Sequence, residues 1–418
     1  KSQMKDYVLE EITARYSAET ETTEGDMSWQ EFMELGRNFK GEYLAPVDPD
    51  RAVFGAYTSG STGISKLVIH SSANIVATAY QMSIFIPPSD VQEVWWTPIL
   101  PPALIAVTVS MTIFPLSTGL MVSLDPFCPL ENIDIEFMDR KPNFWALIPL
   151  YCEMLMSSER IPEDYDMSHL RTIGAGAEAM NDRKYAEVEE FFHKHNVQAK
   201  LSAGYGQSEG CSNFTLPNPM FPLEDGCVGM PMTATVLGVF DKDLNELNYG
   251  ESGELCMTGP SMMLHYSGWR GEELTEQTLV EHPDGNTWLH TGDEAYITEQ
   301  GIVHILGRGE IKAYGDKPLH VMRMETKTVR TPGVKDGFFC LVPDQEHEGY
   351  YRPYLFVILD GTKTLEEVAE LLKDTLEEHE YPVEIKEITE RPYFHFKTDR
   401  KGLTAQILEE LEQAKEEK

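Results

Sequence analysis

Between residues 57 and 210 short apolar runs alternate with stretches of helical period. Residues 73 to about 85 read as a helix, GLMVSL (119–124) as a strand, and FWALI (144–148) as a strand followed by the helical LYCEMLMSSE. The strand-like LRTIG (170–174), a charged helix NDRKYAEVEEFFHKHN (181–196) and the run AKLSAG (199–204) continue the series. Strands separated by helices in this way predict a parallel sheet covered by helices. From about 226 to 306 the segments shorten and turn residues separate them (YGESGELCMTG, EHPDGNTWLHTGDEA, ITEQGIVHILG), which predicts an antiparallel subdomain.

After Gly307 the pattern changes again. GFFCLVP and YLFVIL read as strands, and TLEEVAELLKDTLEEHE opens with a Thr-x-x-Glu capping box that sets Leu365, Val368, Leu372 and Leu376 on one helical face. These elements make a small α+β unit of roughly one hundred residues, an ordinary size for a small domain. The expected fold class is therefore α/β, with a large N-terminal domain at 1–308 and a small C-terminal domain at 309–418, the boundary falling within GRGEIKAYG (307–315). There are no internal repeats, and the tail EELEQAKEEK reads as the solvated end of a helix.

One stretch, PILPPALIAVTVSMTIFPLSTGLMVSL (98–124), is uncharged and long enough to cross a bilayer. Its prolines and the FPLSTG turn divide it into a helix-like ALIAVTVSMTI and a strand-like GLMVSL, so buried core is expected and no membrane span.

Composition narrows the class. At 418 residues, 41% hydrophobic and 10% aromatic, the chain matches a soluble globular protein with one large and one small domain. Lys plus Arg number 34 against 69 Asp plus Glu, a formal charge of −35, which argues against a nucleic-acid partner or an anionic membrane surface. Any anionic ligand must then meet a local basic pocket. Cys128, Cys152, Cys211, Cys227, Cys256 and Cys340 show no CxxC or metal-finger spacing and read as reduced, buried thiols of a cytoplasmic protein. The opening KSQMKDYVLEEI has no apolar core of a signal peptide and no initiator methionine, which fits a fragment of a cytoplasmic chain.

The chemistry concentrates first in YTSGSTGISK (57–66). Glycines leave backbone N–H groups open, hydroxyls add donors and a terminal lysine adds charge, a combination suited to phosphate oxygens. The Walker pattern GxxxxGK[ST] does not fit, because Lys66 is preceded by Ser65 and followed by Leu67. Taken alone, such a loop also reads as a plain flexible turn.

Five further segments accompany it: GYGQSEG (204–210), GELCMTGP (253–260), LHTGDEA (289–295), ILGRGEIKAYG (305–315) and FKTDRKGL (396–403). In order and approximate spacing the set resembles the signatures of the adenylate-forming superfamily, which includes acyl-CoA and aryl-CoA ligases, luciferases and peptide-synthetase adenylation domains. The first signature there is YTSGSTGxPK, with Ser65 standing here for its proline. The resemblance covers essentially residues 50 to 410, and MSWQEFMELG (27–36) is similar to the linker strand that precedes the phosphate loop. With 56 residues ahead of that loop, the family's first N-terminal subdomain is expected to be missing.

The resemblance implies a role for each matching residue. Lys66 with Thr58, Ser59, Ser61 and Thr62 would hold the β- and γ-phosphates of ATP, and Glu209 would coordinate Mg²⁺ through carboxylate oxygens, as hard cations prefer. Ser208 would hydrogen-bond the α-phosphate or the substrate carboxylate. Tyr205 would stack on adenine opposite a wall formed by GAGA (174–177), including Gly176 and Ala177. Asp293 would accept both ribose hydroxyls, as an ionised carboxylate can, and Arg308 would reach the same ribose. Lys397 aligns with the catalytic lysine that stabilises charge as the acid attacks the α-phosphorus. A small mobile C-terminal domain would then pivot near Gly309 or Glu310, carrying Lys312 across the site for a second reaction with a thiol.

The function expected from the resemblance is ATP-dependent activation of a carboxylic acid to an acyl-adenylate, followed by thioester formation with CoA: an acid–thiol ligase using ATP, Mg²⁺ and CoA. Two alternatives stay open: a free-standing adenylation protein that loads a carrier protein, and a non-catalytic nucleotide-binding relative. The second is motivated by Phe396 in place of the glycine before the catalytic lysine, and by a hinge motif two residues shorter than the family's, with Glu310 near the place of the hinge aspartate. EVWWTPILPPALIA (93–106) occupies the place of the acid pocket, where Trp95, Trp96, Leu100 and Leu104 read either as the lining for an apolar or aromatic acid or as core.

Overall fold

The computed structural model describes residues 27–41, 46–58, 65–86, 91–176, 180–216, 226–309, 312–394 and 397–416. Helix α1 (Trp29–Asn38) corrects the strand expected in MSWQEFMELG. Its cause is local: the Ser28 side chain accepts from Glu31 N–H while the Glu31 carboxylate reaches back to Ser28 N–H, a capping box that satisfies two first-turn donors. Next, β1 (Ala52–Tyr57) and β2 (Leu67–Ser71) pair antiparallel in a register that runs to Tyr57 opposite Leu67. The phosphate-loop sequence is thus the connection of a hairpin. Helix α2 (Ser72–Phe85) follows directly, again through a capping box, Ser71 with Asn74.

The parallel sheet comprises β3 (Val94–Pro98), β4 (Met121–Asp125), β5 (Phe144–Leu147), β6 (Thr172–Ala175) and β7 (Leu201–Ala203), in spatial order β4-β3-β5-β6-β7. Every neighbouring pair in it is parallel, as the strand–helix rhythm predicts. Helices α3 (Ile133–Arg140), α4 (Pro149–Met156) and α5 (Asp182–Lys194) supply the crossovers among β4 to β7. Strand β3 carries no sequence signal of its own. It is buried on both faces, so its apolar residues are continuous rather than alternating.

Successive strand residues point to opposite faces, and that settles the two tryptophans of the expected acid pocket. Trp96 is fully buried against Phe137 and Trp145, with ring centroids 6.4 and 5.1 Å away. Trp95 faces the other way, stacked on Phe144 at 5.7 Å and edge-on to Phe114 at 5.8 Å. Both belong to core clusters. Leu100 and Leu104 are half-buried.

The uncharged stretch after β3 forms a π-helix, Ala106–Ile113, in which Phe114 N–H bonds Val109 O, and runs on as a helical turn Phe114–Ser117. The turn expected at FPLSTG begins only after Ser117, with Gly119 at φ +83°. Pro115 is the second residue of that last turn. No helix among the described residues is long and apolar enough to cross a membrane.

Residues 236–308 form the antiparallel sheet: β8 (Val236–Phe240), β9 (Gly253–Thr258), β11 (Leu279–Glu281), β12 (Thr287–Ile297) and β13 (Val303–Arg308), while the intervening β10 (His265–Ser267) joins β2. Strand β12 organises this layer, since it pairs with β9, β11 and β13.

The C-terminal residues have their own sheet, β14 (Val334–Pro343) antiparallel to β15 (Tyr351–Leu359), with β16 (Ile385–Glu387) parallel to β15. Helix α6 (Val321–Val329) packs on β14. Helix α7 (Leu365–Thr375) carries the expected Thr364–Glu367 capping box and buries Val368, Leu372 and Leu376 in this second core. Helix α8 (Arg400–Glu416) covers the other face with Leu403 and Ile407. The two parts touch through α5: Asn181 donates to Asp336 at 3.3 Å, and Arg183 donates to Val334 O. All six cysteines are free and buried, as read from their spacing.

Candidate active site

Thr58 and Lys66 close the neck of the β1–β2 loop. Thr58 N–H donates to Lys66 O at 2.9 Å, Lys66 N–H donates to the Thr58 hydroxyl at 3.0 Å, and the Ser65 hydroxyl donates to Thr58 O at 2.6 Å. Ser59, Ser61 and Thr62 lie outside the described residues. The Lys66 side chain leaves the neck toward β10, where its Nζ donates to the Tyr266 hydroxyl at 2.7 Å and stands 3.4 Å from Glu209 Oε1. Tyr266 in turn donates to the same Glu209 oxygen at 2.5 Å. Burial and the Glu209 charge both push the Tyr266 pKa up, so the phenol keeps its proton and remains a donor.

The segment that presents Glu209 runs from the C-terminal end of β7 through GYGQSEG. Its chain turns tightly: a side chain at Gly206 would place Cβ 1.8 Å from Ser212 O, so only glycine fits there. Ser208–Gly210 form one 3-10 turn, after which Cys211 adopts φ +60°. Two bonds hold this turn against the hairpin and its neighbour, namely His70 Nε2 with Ser208 O at 2.7 Å and Met263 N–H to Glu209 O at 2.8 Å. His70 is fully buried, and desolvation lowers its pKa despite the Ser208 carbonyl and the Glu209 charge. A neutral imidazole with hydrogen on Nε2 is the donor this geometry needs.

At the other end of the segment, the Tyr205 hydroxyl donates to Asp293 Oδ2 at 2.6 Å. Gln207 Nε2 reaches the same oxygen at 2.8 Å and Thr291 O at 2.9 Å. Asp293 is 3% exposed and lies on β12 opposite Arg308 of β13. The turn of β6 into Gly176 lies alongside, since Gly204 N–H donates to Ala175 O at 3.2 Å; Ala177 lies outside the described residues. Residues 204–210 therefore serve two groups at once, one of Lys66, Tyr266 and Glu209, and one of Tyr205, Gln207 and Asp293. They stand at the carboxyl ends of β6 and β7, where open parallel sheets place their ligands.

The remaining expected residues belong to the C-terminal part. Gly309 has φ +85°, a conformation side chains resist, immediately after β13. Glu310 lies outside the described residues. Lys312 sits with its Nζ 4.9 Å from the Tyr351 ring centroid on β15. Lys397 lies on a small hairpin of β17 (Tyr393–Phe394) and β18 (Lys397–Thr398), which is anchored when the Tyr393 hydroxyl donates to Glu153 on α4 at 2.7 Å. The contact of His320 Nδ1 with Glu294 Oε2, 2.8 Å across, links the start of α6 to β12.

Sequence reading missed Gln207 and Tyr266. Gln207 sits inside a recognised motif and could have been found there from its amide, which matches a carboxylate and a carbonyl together. Tyr266 carries no local signal: only the pairing of β10 with β2 brings its hydroxyl to Lys66.

A model of the family described as AMP-binding enzyme matches residues 3–267. A long-chain-fatty-acid--CoA ligase of Escherichia coli O157:H7 is 27% identical over 320 residues, 74% of this chain and 54% of that protein. The 4-coumarate--CoA ligase 2 of Nicotiana tabacum is 25% identical over 339 residues, 77% of this chain and 58% of that one. The chain thus spans about half the length of the curated relatives it matches. Among solved structures, ATP-bound MatB from Rhodopseudomonas palustris superposes with a TM-score of 0.76 at 22% identity, covering 90% of this chain and 72% of that one. The O-succinylbenzoate CoA synthetase MenE from Bacillus subtilis, solved with ATP and magnesium, gives 0.67 at 19%, covering 88% and 74%. At these identities the structural likeness establishes the fold.

Proposed function

Because the chain belongs to the AMP-binding enzyme family, we propose that it activates a carboxylic acid with ATP to an acyl-adenylate and passes the acyl group to CoA. The observation that carries this reading is the single segment 205–209, which presents Glu209 to Lys66 and ties Tyr205 and Gln207 to Asp293. One nucleotide laid along that segment would meet a cation at its phosphates and a carboxylate at its sugar.

The donor set suits a magnesium nucleotide. Glu209 is 8% exposed and offers hard oxygens beside a lysine at the neck of the hydroxyl-rich loop, and Mg²⁺ prefers one or two carboxylates shared with substrate phosphates. When bound, Mg²⁺ supplies charge neutralisation on the phosphate oxygens. Glu209 would hold it, while Lys66, with Thr58 and the loop hydroxyls Ser59, Ser61 and Thr62, would hold the β- and γ-phosphates. Asp293 would accept from the ribose hydroxyls with Arg308 beside it, and Tyr205, Gly176 and Ala177 would flank the base.

In the first half-reaction a carboxylate oxygen of the acid attacks the α-phosphorus. A new P–O bond forms and the bond to pyrophosphate breaks with its electron pair, so charge accumulates where Lys66 can neutralise it. Ser208 and Lys397 would face the reacting carboxylate and the α-phosphate. No proton moves in this half. In the second, the CoA thiol attacks the acyl carbon, loses its proton, and AMP leaves. We take residues 1–308 and 309–418 as the units that rotate between the two halves about Gly309, whose positive φ a glycine alone adopts freely, with Lys312 moving to the site for the second. The relatives named for long-chain fatty acids and 4-coumarate favour an apolar or aromatic acid.

Incubating the purified chain with Mg-ATP, CoA and a panel of aliphatic and aryl acids, then resolving products by mass spectrometry, tests the whole reading. Acyl-CoA and AMP in equal amounts are expected. Transfer to a phosphopantetheine carrier but not to CoA would overturn the acceptor, and ATP binding without any acid-dependent AMP would overturn the reaction.

A further inference from the structure

Away from the nucleotide groups, three ligating side chains meet between strands of the antiparallel sheet. Cys256 on β9 stands directly opposite His290 on β12, and His282, just past β11, closes the third side. One potential ligand atom from each residue lies within 4.8 Å of the others. Cys256 is fully buried and His282 is 4% exposed.

The two imidazoles face each other, with Nε2 of His282 2.9 Å from Nε2 of His290. Behind His290, its Nδ1 lies 2.9 Å from Glu254 Oε2, and the other Glu254 oxygen accepts from Gly292 N–H at 3.0 Å. An ionised carboxylate only accepts, so the hydrogen sits on Nδ1 and the Nε2 lone pair points toward His282 and Cys256. A carboxylate bonded to the outer nitrogen of a histidine whose inner nitrogen faces a thiol and a second imidazole is the arrangement that orients histidine toward a metal. On the other nitrogen of the second ring, His282 Nδ1 is buried with no hydrogen-bond partner among the described residues. The wall beside it is apolar: Phe240 meets His282 edge-on at 4.5 Å, and Trp288 packs on Phe240 at 4.9 Å.

We propose that Cys256, His282 and His290 bind one borderline transition-metal ion of the Zn²⁺ class, with Glu254 as the positioning residue behind His290. One sulfur and two imidazole nitrogens select such an ion over Mg²⁺ or Ca²⁺, which favour oxygen. Water completes the four-coordinate shell. The role is structural, because Glu254 spans His290 and Gly292, and the ion thereby fixes the turn that leads into Asp293. This site shares no ligand with the magnesium position at Glu209 and stands or falls independently of the proposed reaction.

Titrating metal-stripped full-length protein with Co²⁺ reads the site directly. One equivalent should give thiolate-to-cobalt charge-transfer absorption together with the visible bands of a four-coordinate ion. Cys256→Ser should remove the charge transfer, Cys340→Ser should leave it intact, and Glu254→Gln should retain the bands with affinity lowered about tenfold or more. For a reading that needs no variant, X-ray absorption at the zinc edge of the Zn²⁺-loaded wild type should show one sulfur and two imidazoles in the first shell. An oxygen-only shell, no charge transfer at one equivalent, or charge transfer unchanged in Cys256→Ser would overturn the proposal.

Discussion

The Tyr205 hydroxyl donates to Asp293 Oδ2 at 2.6 Å across 88 residues of sequence. Gln207 Nε2 binds the same oxygen at 2.8 Å, so the carboxylate is oriented by two donors before any nucleotide arrives. Losing one hydrogen bond to a charged group costs about 1.5–3 kcal/mol. Tyr205→Phe, which keeps the ring, is therefore expected to weaken AMP binding roughly ten- to a hundredfold by that same cost, and Asp293→Ala to weaken it further. Isothermal titration with AMP measures both, and unchanged affinity in Asp293→Ala would remove the ribose role from this residue.

Lys66 and Glu209 meet at a shared phenol, Tyr266, 200 residues from the lysine. Removing a preorganised contact to the transition state typically costs about 2.7–4 kcal/mol, roughly a hundred- to a thousandfold in kcat. Lys66→Met and Glu209→Gln should each reach that range in acid-dependent AMP release. Tyr266→Phe removes only an intermediary and should cost less, with its defect smaller than either neighbour's in the same assay.

Backbone closure of the GYGQSEG turn rests on Gly206. An alanine Cβ at this position would stand only 1.8 Å from Ser212 O. Gly206→Ala therefore forces the turn apart, and overpacking of this kind costs about 1–3 kcal/mol or more. Thermal unfolding should begin several degrees lower, and AMP affinity should fall with it. Gly176→Ala meets no described atom within 4 Å of the added carbon and should leave the melting temperature near that of the wild type.

Acid should loosen the same turn. Burial holds His70 below the ordinary imidazole pKa of about 6.5. The unfolded chain then binds more protons than the folded one below that value, so the contribution of His70 is complete above about pH 6.5 and is lost as pH falls through its depressed folded pKa. His169 is lowered by burial as well and acts in the same direction. His70→Gln should flatten the slope of melting temperature between about pH 7 and 5; an unchanged slope would assign the acid sensitivity elsewhere.

Much of this architecture is legible in the sequence because its causes are local. The α7 capping box, the apolar face through Val368 and Leu372, and the strand–helix alternation that builds the parallel sheet are all written within short windows. Errors arise where tertiary context decides. Trp95 and Trp96 leave lining and core equally open in the sequence because a strand buried on both faces has no alternation to decide between them. The helix at Trp29 is hidden by its likeness to a linker strand, although Ser28 and Glu31 spell its cap. Within the site, Lys66, Glu209 and Asp293 are marked by their motifs, whereas Tyr266 and the Cys256–His290 pairing depend on strand register that no short window contains.

Acid-dependent exchange of labelled pyrophosphate into ATP tests the central claim most directly, since it reports formation of the acyl-adenylate alone and needs no acceptor. The account predicts exchange that requires one class of carboxylic acid and Mg²⁺, and that falls by at least about a hundredfold in folded Lys66→Met. Folded wild-type protein that binds AMP yet shows no exchange above background with any class of acid would contradict it.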